Sequence, residues 1–575
     1  MEIEANLASN ENGSNQEKEE DSRKAKGGLI TTPFIIANEA FEKVASYGLL
    51  PNMIFYLMNE YKMGVTKATN VIFYWSAATN FTPLVGALLA DSFLGRFLTI
   101  ALGSIFTLLG MILLWLTAAI PHVRPPSCDQ FTTHCKPATS AQRALLFTSF
   151  ALMSIGAGGI RPCSLAFGAD QLDKKHNLKN NTNTLESYFG WYYASASISV
   201  LIALTGIVYI QDRIGWEVGF GVPAILMLLS TLLFFLASKL YIKHKSNESF
   251  LLAQFLQVVV VAYKNRTLSF PTDNSNGYYR EKGSSYTSPT NKLRFLNKAC
   301  IIKNPQEVYF TNRWNLCSIE QVEELKALLR VAPSWSTGIM PAINISQSSF
   351  PLLQANSMDR HIGSSAFQIP AGSFGMFSVV TLTIWIVLYD RAIIPFASRI
   401  SDRKIHIGAK SRMGIGIFLS GVSMAVSGAV EYVRRKKAVE QGLAMSALWL
   451  VPHNCLTGLA EAFSAIGQTE FYYTEFPRSM SSVASSLFGV GMAVANLAAS
   501  VVLSTVDGAT GGGGKGSWVS SNINEGHYGY YYWLLAGLTF LNLFYFFICS
   551  WFYGDCVDRV AENGEGVEEN LYQFS

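Results

Sequence analysis

The sequence predicts an all-α membrane protein, twelve transmembrane helices in two six-helix bundles, and three observations carry that reading. Half of the 575 residues are hydrophobic and 15% are charged, with a mean hydropathy of +0.24. Apolar stretches near the ~20 residues needed to cross a bilayer recur along the chain in two sets of six. A long polar insert separates the sets, the pattern of a carrier built from two parallel repeats. This balance excludes a disordered chain, a collagen and an ordinary soluble enzyme. A net charge of +4, from 44 Lys+Arg against 40 Asp+Glu, is too small to point to nucleic acid.

Residues 1–30 are polar and mix Glu17, Glu19, Glu20 and Asp21 with Lys18, Arg23, Lys24 and Lys26, which reads as a disordered cytosolic tail without a signal-peptide core. The N-terminal bundle occupies 31–242, with spans near 33–58, 68–91, 96–120, 142–166, 187–210 and 218–242. A cytosolic linker follows, 243–326. Within it, 249–262 (SFLLAQFLQVVVVA) is apolar but too short to cross, and Lys243, Lys245, Lys264 and Arg266 flank it, so it is expected to lie along the inner membrane surface. Ser318 and Gln321 have the spacing of a capping box for a helix that leads into span seven. The C-terminal bundle, 327–555, holds spans near 328–352, 370–395, 412–433, 445–474, 480–505 and 528–553. Residues 556–575 read as a cytosolic tail whose last seven, ENLYQFS, resemble a protease-cleavage tag with two letters exchanged.

Lys and Arg in short connections set the orientation. Lys174, Lys175 and Lys179 after span four, and Arg399, Arg403, Lys404 and Lys410 after span eight, place those loops and both termini in the cytosol. Arg434, Arg435, Lys436 and Lys437 dissent, since they fall outside. Cys128 and Cys135 share an external loop and are candidates for a disulfide; the other six cysteines read as packing residues.

Polar residues inside spans carry the functional signal, because a charge at a helix centre costs ~2.5–3.5 kcal/mol on insertion scales. In span one Glu39, Glu42, Lys43 and Ser46 fall at i, i+3, i+4 and i+7 on one face, with Tyr47 beside them. Glu39 and Lys43 can pair, whereas Glu42 needs another partner or a proton. Span four ends in Gly156, Gly158, Gly159, Arg161 and Pro162; Arg161 stays charged at physiological pH and must meet an anion, either a carboxylate or a substrate. In span ten Thr457, Glu461, Ser464, Gln468 and Glu475 keep to one helical face. Glu475 lies near the same membrane side as Arg161, so a bond between the bundles is available to shut one side. Trp335, Asn344, Ser346 and Gln347 offer uncharged hydrogen bonding in span seven, and the aromatic run Tyr188, Phe189, Trp191, Tyr192 and Tyr193 is either an interfacial belt or a pocket wall. No metal-ligand cluster, cofactor motif or nucleophile–base spacing appears, and GGGGKGS at 511–517 fails as a phosphate loop because Gly516 follows Lys515.

Several of these segments resemble a known family. GALLADSFLGR (86–96) is similar to the loop between spans two and three of the major facilitator superfamily. The Glu39–Glu42–Lys43 element resembles the ExxE[R/K] motif of the proton-dependent oligopeptide transporters and their plant nitrate/peptide transporter relatives. GGIRPCSLAFGADQLD (158–173), FGWYYAS (189–195), LRFLNKA (293–299), YDR (389–391) and GQTEFYYTEFP (467–477) extend the match in order, closest to the first plant subfamily.

That resemblance implies alternating access and symport driven by protons. It makes Glu39, Glu42 and Lys43 the proton-coupling element and Arg161 with Glu475 an inner salt bridge between bundles. It places Ile345 where a nitrate transporter has a nitrate-contacting histidine, puts Ser46 and Lys43 where peptide carriers have tyrosine and arginine, and matches Thr99 to a phosphorylated threonine. Tyr47, Trp335, Asn344, Ile345, Gln347, Glu461 and Gln468 are the candidate cavity lining. The expected function is a monomeric, plasma-membrane importer, not an enzyme, coupling protons to a small anion: a hormone-type weak organic acid of the gibberellin, abscisic acid or auxin class, or nitrate. A di- or tripeptide symporter and a non-transporting sensor are the alternatives.

Overall fold

The computed structural model describes residues 27–126, 137–172, 178–243, 251–271, 277–280, 288–302, 314–363, 367–400, 407–477, 480–511 and 516–553. In the first half, α1 (Thr32–Leu49) opens with Pro33 in its first turn and stops just before Pro51, which has no N–H to continue the ladder. Then come α2 (Met53–Asn59), α3 (Val65–Leu89), α4 (Arg96–Ala119), α5 (Ser140–Ile160), α6 (Ser164–Leu172), α7 (Leu178–Ile202), α8 (Val208–Arg213) and α9 (Trp216–Leu236). The linker contributes α10 (Leu251–Lys264) and a 3₁₀ turn, Arg294–Cys300. The second half holds α11 (Ile319–Thr337), α12 (Ile339–Ser346), α13 (Ser349–Asn356), α14 (Met376–Leu388), α15 (Ile394–Ile400), α16 (Ala409–Glu440), α17 (Val451–Glu475), α18 (Ser481–Gly511) and α19 (Tyr528–Tyr553). Thr139 and Ser318 each form a complete capping box, with Gln142 and Gln321, at the starts of α5 and α11.

The two halves repeat one packing plan. In the first, α4 lies on α5, α3 on α5, and α1 on α9; in the second, α16 lies on α17, α14 on α17, and α11 on α19. Both repeats place a π-helical turn at the same point, Ala90–Leu94 after α3 and Tyr389–Ile393 after α14. Between halves, α3 packs on α18 and α7 on α14. Helices in lipid associate through close backbone approach, and glycine permits it here: a Cβ on Gly86 would lie 1.8 Å from the Gly158 carbonyl oxygen, and one on Gly458 2.3 Å from that of Ser378.

Nine described helices are long and apolar enough to cross a membrane. Segments 32–59, 319–356 and 447–475 are not among them. They hold Glu39, Glu42 and Lys43, then Trp335, Asn344 and Gln347, then Glu461, Gln468 and Glu475; the second also opens with Glu320, Glu323, Glu324, Lys326 and Arg330 and is divided into three helices.

Two apolar cores join the halves. One packs Leu49, Met53 and Tyr56 with Leu352, Met358 and Phe374; the other packs Val65 and Phe73 with Phe350, Leu503 and Tyr531. Both gather the end where α1 finishes and α17 begins, termed here the far end. At the opposite, linker end the described cores stay within one half: Ile35, Phe167 and Phe234 in the first, and Phe255, Leu296, Val322, Met413 and Phe471 in the second. The linker helix α10 therefore buries Phe255, Val258, Val261 and Ala262 on the start of α11 and the 3₁₀ turn, and leaves Leu256, Val259 and Tyr263 exposed on its other face. Burial pushes the thiols of Cys300 and Cys317, inside this linker core, up to about 12, in keeping with packing rather than reactive cysteines.

One member of the dissenting basic cluster is buried. At 32 residues α16 is about 48 Å long, more than the ~30 Å hydrocarbon core. Arg434 does not reach water: it is 1% exposed, and its Nε and one terminal nitrogen donate to the two Glu431 oxygens at 2.7 and 2.8 Å. It donates further to Asn524, while Gln354 donates to Glu431. Arg434 is thus neutralised in the interior, while Arg435, Lys436 and Lys437 stay outside that pair. Removing one partner of such a pair strands a buried charge. Arg434→Met should cost about 3–5 kcal/mol, read as a fall in the Tm of the purified protein. Arg434→Met with Glu431→Leu should recover most of that loss, and an equal Tm for the single variant and the parent would show the pair to be idle.

Candidate functional site

The carboxylate face forms as its spacing predicts. Packed between α7 and α9, α1 is held by Ser230 of α9, whose hydroxyl donates to the Asn38 carbonyl and side-chain oxygens at 2.9 and 2.6 Å. Lys43 Nζ lies 3.2 Å from Glu39 Oε1, and Ser46 Oγ donates to Glu42 Oε1 at 2.6 Å. Glu39 and Glu42 are 2% and 0% exposed, and Oε2 of each is buried without a hydrogen-bond partner. Two buried carboxylates thus each keep one oxygen without a hydrogen-bond partner, with the buried Tyr192 beside Glu39.

Arg161 ends α5, its N–H closing on the Ala157 carbonyl, and Pro162 follows. Its Nε is buried without an acceptor, and its guanidinium carbon stands 5.7 Å from the centre of the Tyr47 ring. Lys43 Nζ is 5.4 Å from the same ring. Tyr47 is 38% exposed although its helix is enclosed, so two cations border the open side of one aromatic ring. No described ion pair joins Arg161 to Glu475; Glu475, half-buried at the end of α17, has a partner of its own.

The second half divides the remaining candidates. Asn344 donates to Ser420 of α16 and Thr539 of α19, and Gln347 accepts from Tyr531 of α19; both turn into their own bundle. Gln468 donates to Ser464 and accepts from Tyr472 along α17, against Gly338. Trp335 is half-buried and donates its indole N–H to the Leu487 carbonyl of α18. Ile345 is half-buried beside these bonded neighbours. Glu461 is half-buried, and no described hydrogen bond or ion pair engages it. Glu470, on another face of α17, pairs with Arg412 at 2.9 Å.

Thr99 is buried and donates to the Gly95 carbonyl in the first turn of α4, where Gly95 has the left-handed φ of 74° that closes the preceding turn. Beside it Arg96 grips both oxygens of Asp170 at 2.8 and 2.7 Å and reaches Asp91 at 3.9 Å, which ties the α3–α4 turn to α6. Cys128 and Cys135 lie outside the described residues; Cys163, Cys300 and Cys317 are buried free thiols. The Asp170 and Ser230 partners were not legible in the sequence, since each lies far along the chain from the residue it holds. Among the described residues no group of three His, Cys, Asp or Glu side chains is placed to hold a metal.

The POT family model matches residues 97–519. Protein NRT1/PTR FAMILY 1.2 of Arabidopsis thaliana is 58% identical over 584 residues, covering 98% of this chain and 96% of its own. NRT1/PTR FAMILY 1.1 of the same plant is 58% identical over 567 residues, covering 95% of each. Among solved structures, an auto-inhibited POT family peptide transporter aligns with a TM-score of 0.66 at 20% identity, over 94% of this chain and 98% of that one. The POT family transporter PepTSo aligns with a TM-score of 0.67 at 19% identity, over 92% and 98%. At such identities the structural likeness speaks for the fold alone. Together the family match and the plant relatives make this chain a member of the POT family, in the plant nitrate/peptide transporter branch beside the NRT1/PTR FAMILY 1 proteins, and so a multi-pass membrane transporter rather than an enzyme.

Proposed function

We propose that the chain is a proton-coupled symporter that imports a small anion by alternating access. The observation that carries this reading is the pairing of two buried carboxylates, each with an unpartnered oxygen, with a cation at Arg161 whose Nε is also unpartnered. A proton on Glu42 satisfies the carboxylate, and an anion satisfies the arginine; taken together, the two ligands enter with their charges balanced. Lys43 is held by Glu39, which leaves Arg161 and the Tyr47 ring to receive the substrate. Glu461, with no described hydrogen bond or ion pair, is the carboxylate we assign to the second half of the path.

In this reading the linker end and both termini are cytosolic, segments 32–59, 319–356 and 447–475 complete twelve spans, and the protein works as a plasma-membrane monomer. The bundles are 31–242 and 327–555, with 243–326 as the cytosolic linker. Apolar cores joined at the far end and separate at the linker end support an inward-open state. The Arg161–Glu475 bridge then belongs to the opposite state, in which the linker end is shut.

For the substrate, Ile345 supplies no hydrogen-bond donor for nitrate, whereas a cation set against an aromatic ring suits a carboxylate attached to an apolar body. We assign a hormone-type weak organic acid of the gibberellin, abscisic acid or auxin class, with nitrate as the second reading. Solved relatives described as peptide transporters keep a di- or tripeptide as a test substrate. Inward currents in oocytes, compared for nitrate, dipeptides and the three hormone classes at acidic and neutral pH, decide among them; binding without current would identify a sensor.

Two substitutions test the mechanism. Glu42→Gln should abolish acid-stimulated uptake and spare substrate exchange, and uptake that still rises on acidification would remove Glu42 from coupling. Arg161→Ala should lower transport at least about tenfold, the loss expected when a charge-assisted bond of ~1.5–3 kcal/mol is deleted; parental kinetics would exclude it from the substrate path.

A further inference from the structure

A second set of polar groups closes the far end, remote in sequence from the carboxylate face and from Arg161. Asp212 and Arg213 finish α8 in the first half, and the turn after α13 brings Asp359, Arg360, His361 and Gln368 from the second half against them. Asp212 lies 3.8 Å from Arg360 and 3.6 Å from Arg213. The turn is fixed by backbone bonds: the Asp359 N–H donates to Met445, the Ala447 N–H to Asp359, and the Ile369 N–H to Arg360.

Donor and acceptor roles run in one forced direction through this set. His361 Nδ1 stands 2.5 Å from Asp359 Oδ1, and an ionised carboxylate only accepts, so Nδ1 carries the proton. The hydrogen bond from His361 holds the Asp359 carboxyl below its usual range, which keeps it ionised. In the neutral ring Nε2 is then an acceptor, and it faces the Gln368 Nε2 amide at 2.9 Å. That leaves Gln368 Oε1 pointing across the boundary between halves, where it accepts from Arg213 at 3.4 Å.

We propose that His361 is a second proton-binding site, and that a proton taken up on its Nε2 unlatches the far end by forcing Gln368 off Arg213. A second ring proton makes both nitrogens donors, so Gln368 must turn its carbonyl oxygen to His361 and its NH₂ to Arg213. Two donors then face each other, and the new imidazolium charge adds to Arg213 and Arg360 against the two carboxylates of Asp212 and Asp359. The charged groups facing His361 are Asp359 and Arg360 from its own turn and Asp212 and Arg213 from α8; segment 445–447 meets the turn through backbone, and 364–366 (Ser-Ser-Ala) have no titratable side chain. An acidic far side thereby favours opening toward the protons the carrier uses. Only this statement of sidedness rests on the proposed transport reading.

The test is a distance between halves, read on the whole chain in nanodiscs without substrate. Spin labels at Ile214→Cys and Leu443→Cys, exposed far-end positions in opposite halves, are placed in a background whose other reactive cysteines are serine. One short distance is expected at pH 8, and a several-fold rise in a longer-distance population at pH 5, across the interval where imidazoles titrate. His361→Gln should keep the short distance at both pH values, and Gln368→Met, which retains the histidine, should show the long population at both. Glu42→Gln should retain the parental response, so latch and transport coupling stand or fall separately. A distance that ignores pH in the parent, a pH response that survives His361→Gln, or one that vanishes in Glu42→Gln would overturn the proposal.

Discussion

A buried carboxylate oxygen without a donor is costly to carry into lipid, and α1 carries two of them. Much of the surrounding structure reads as a response to that constraint. Ser230 pins the α1 backbone from α9, Lys43 and Ser46 each satisfy one carboxylate oxygen, and Tyr47 lies beside both Lys43 and Arg161. Glu39 Oε2, Glu42 Oε2 and Arg161 Nε stay unsatisfied on this side of the first half, and a proton on one carboxylate and an anion on the arginine would complete two of the three. Family membership supplies transport; this residual imbalance supplies the reason for proposing that transport is coupled.

The same economy shapes the helices. Apolar spans pack through glycine contacts such as Gly86 on Gly158, which bring the helix backbones of one bundle close together. By contrast, the halves meet through separable contacts: apolar cores and a few polar links at the far end, and none of the described apolar cores at the linker end. Rigid halves with a divided boundary are what rocking about a central site requires. The Arg96–Asp170 and Arg412–Glu470 pairs brace the linker end inside each half.

How much of this was legible in the sequence differs by element. Nine spans follow from hydropathy, and the Ser318–Gln321 capping box from spacing, whereas the Thr139–Gln142 box came only from the structure. The face of α1 was readable because its partners lie three or four residues apart. Asn344 and Gln347 were recognisable as polar residues in span seven, but their direction was not, since Ser420, Thr539 and Tyr531 are set by the fold and span seven has neighbours on every side. Arg434 misled as a loop charge although Glu431, three residues earlier, was visible as its neutraliser. The latch around His361 left no signal in sequence, because two of its members come from the first half and four from the second.

Infrared difference spectroscopy of the purified protein between pH 8 and pH 5 tests the central claim most directly, because it reports a buried carboxyl without needing the substrate. The account predicts a protonated-carboxyl band that appears on acidification and is lost when both Glu39→Gln and Glu42→Gln are present. Absence of that band in the parent, or its persistence in the double variant, would contradict it.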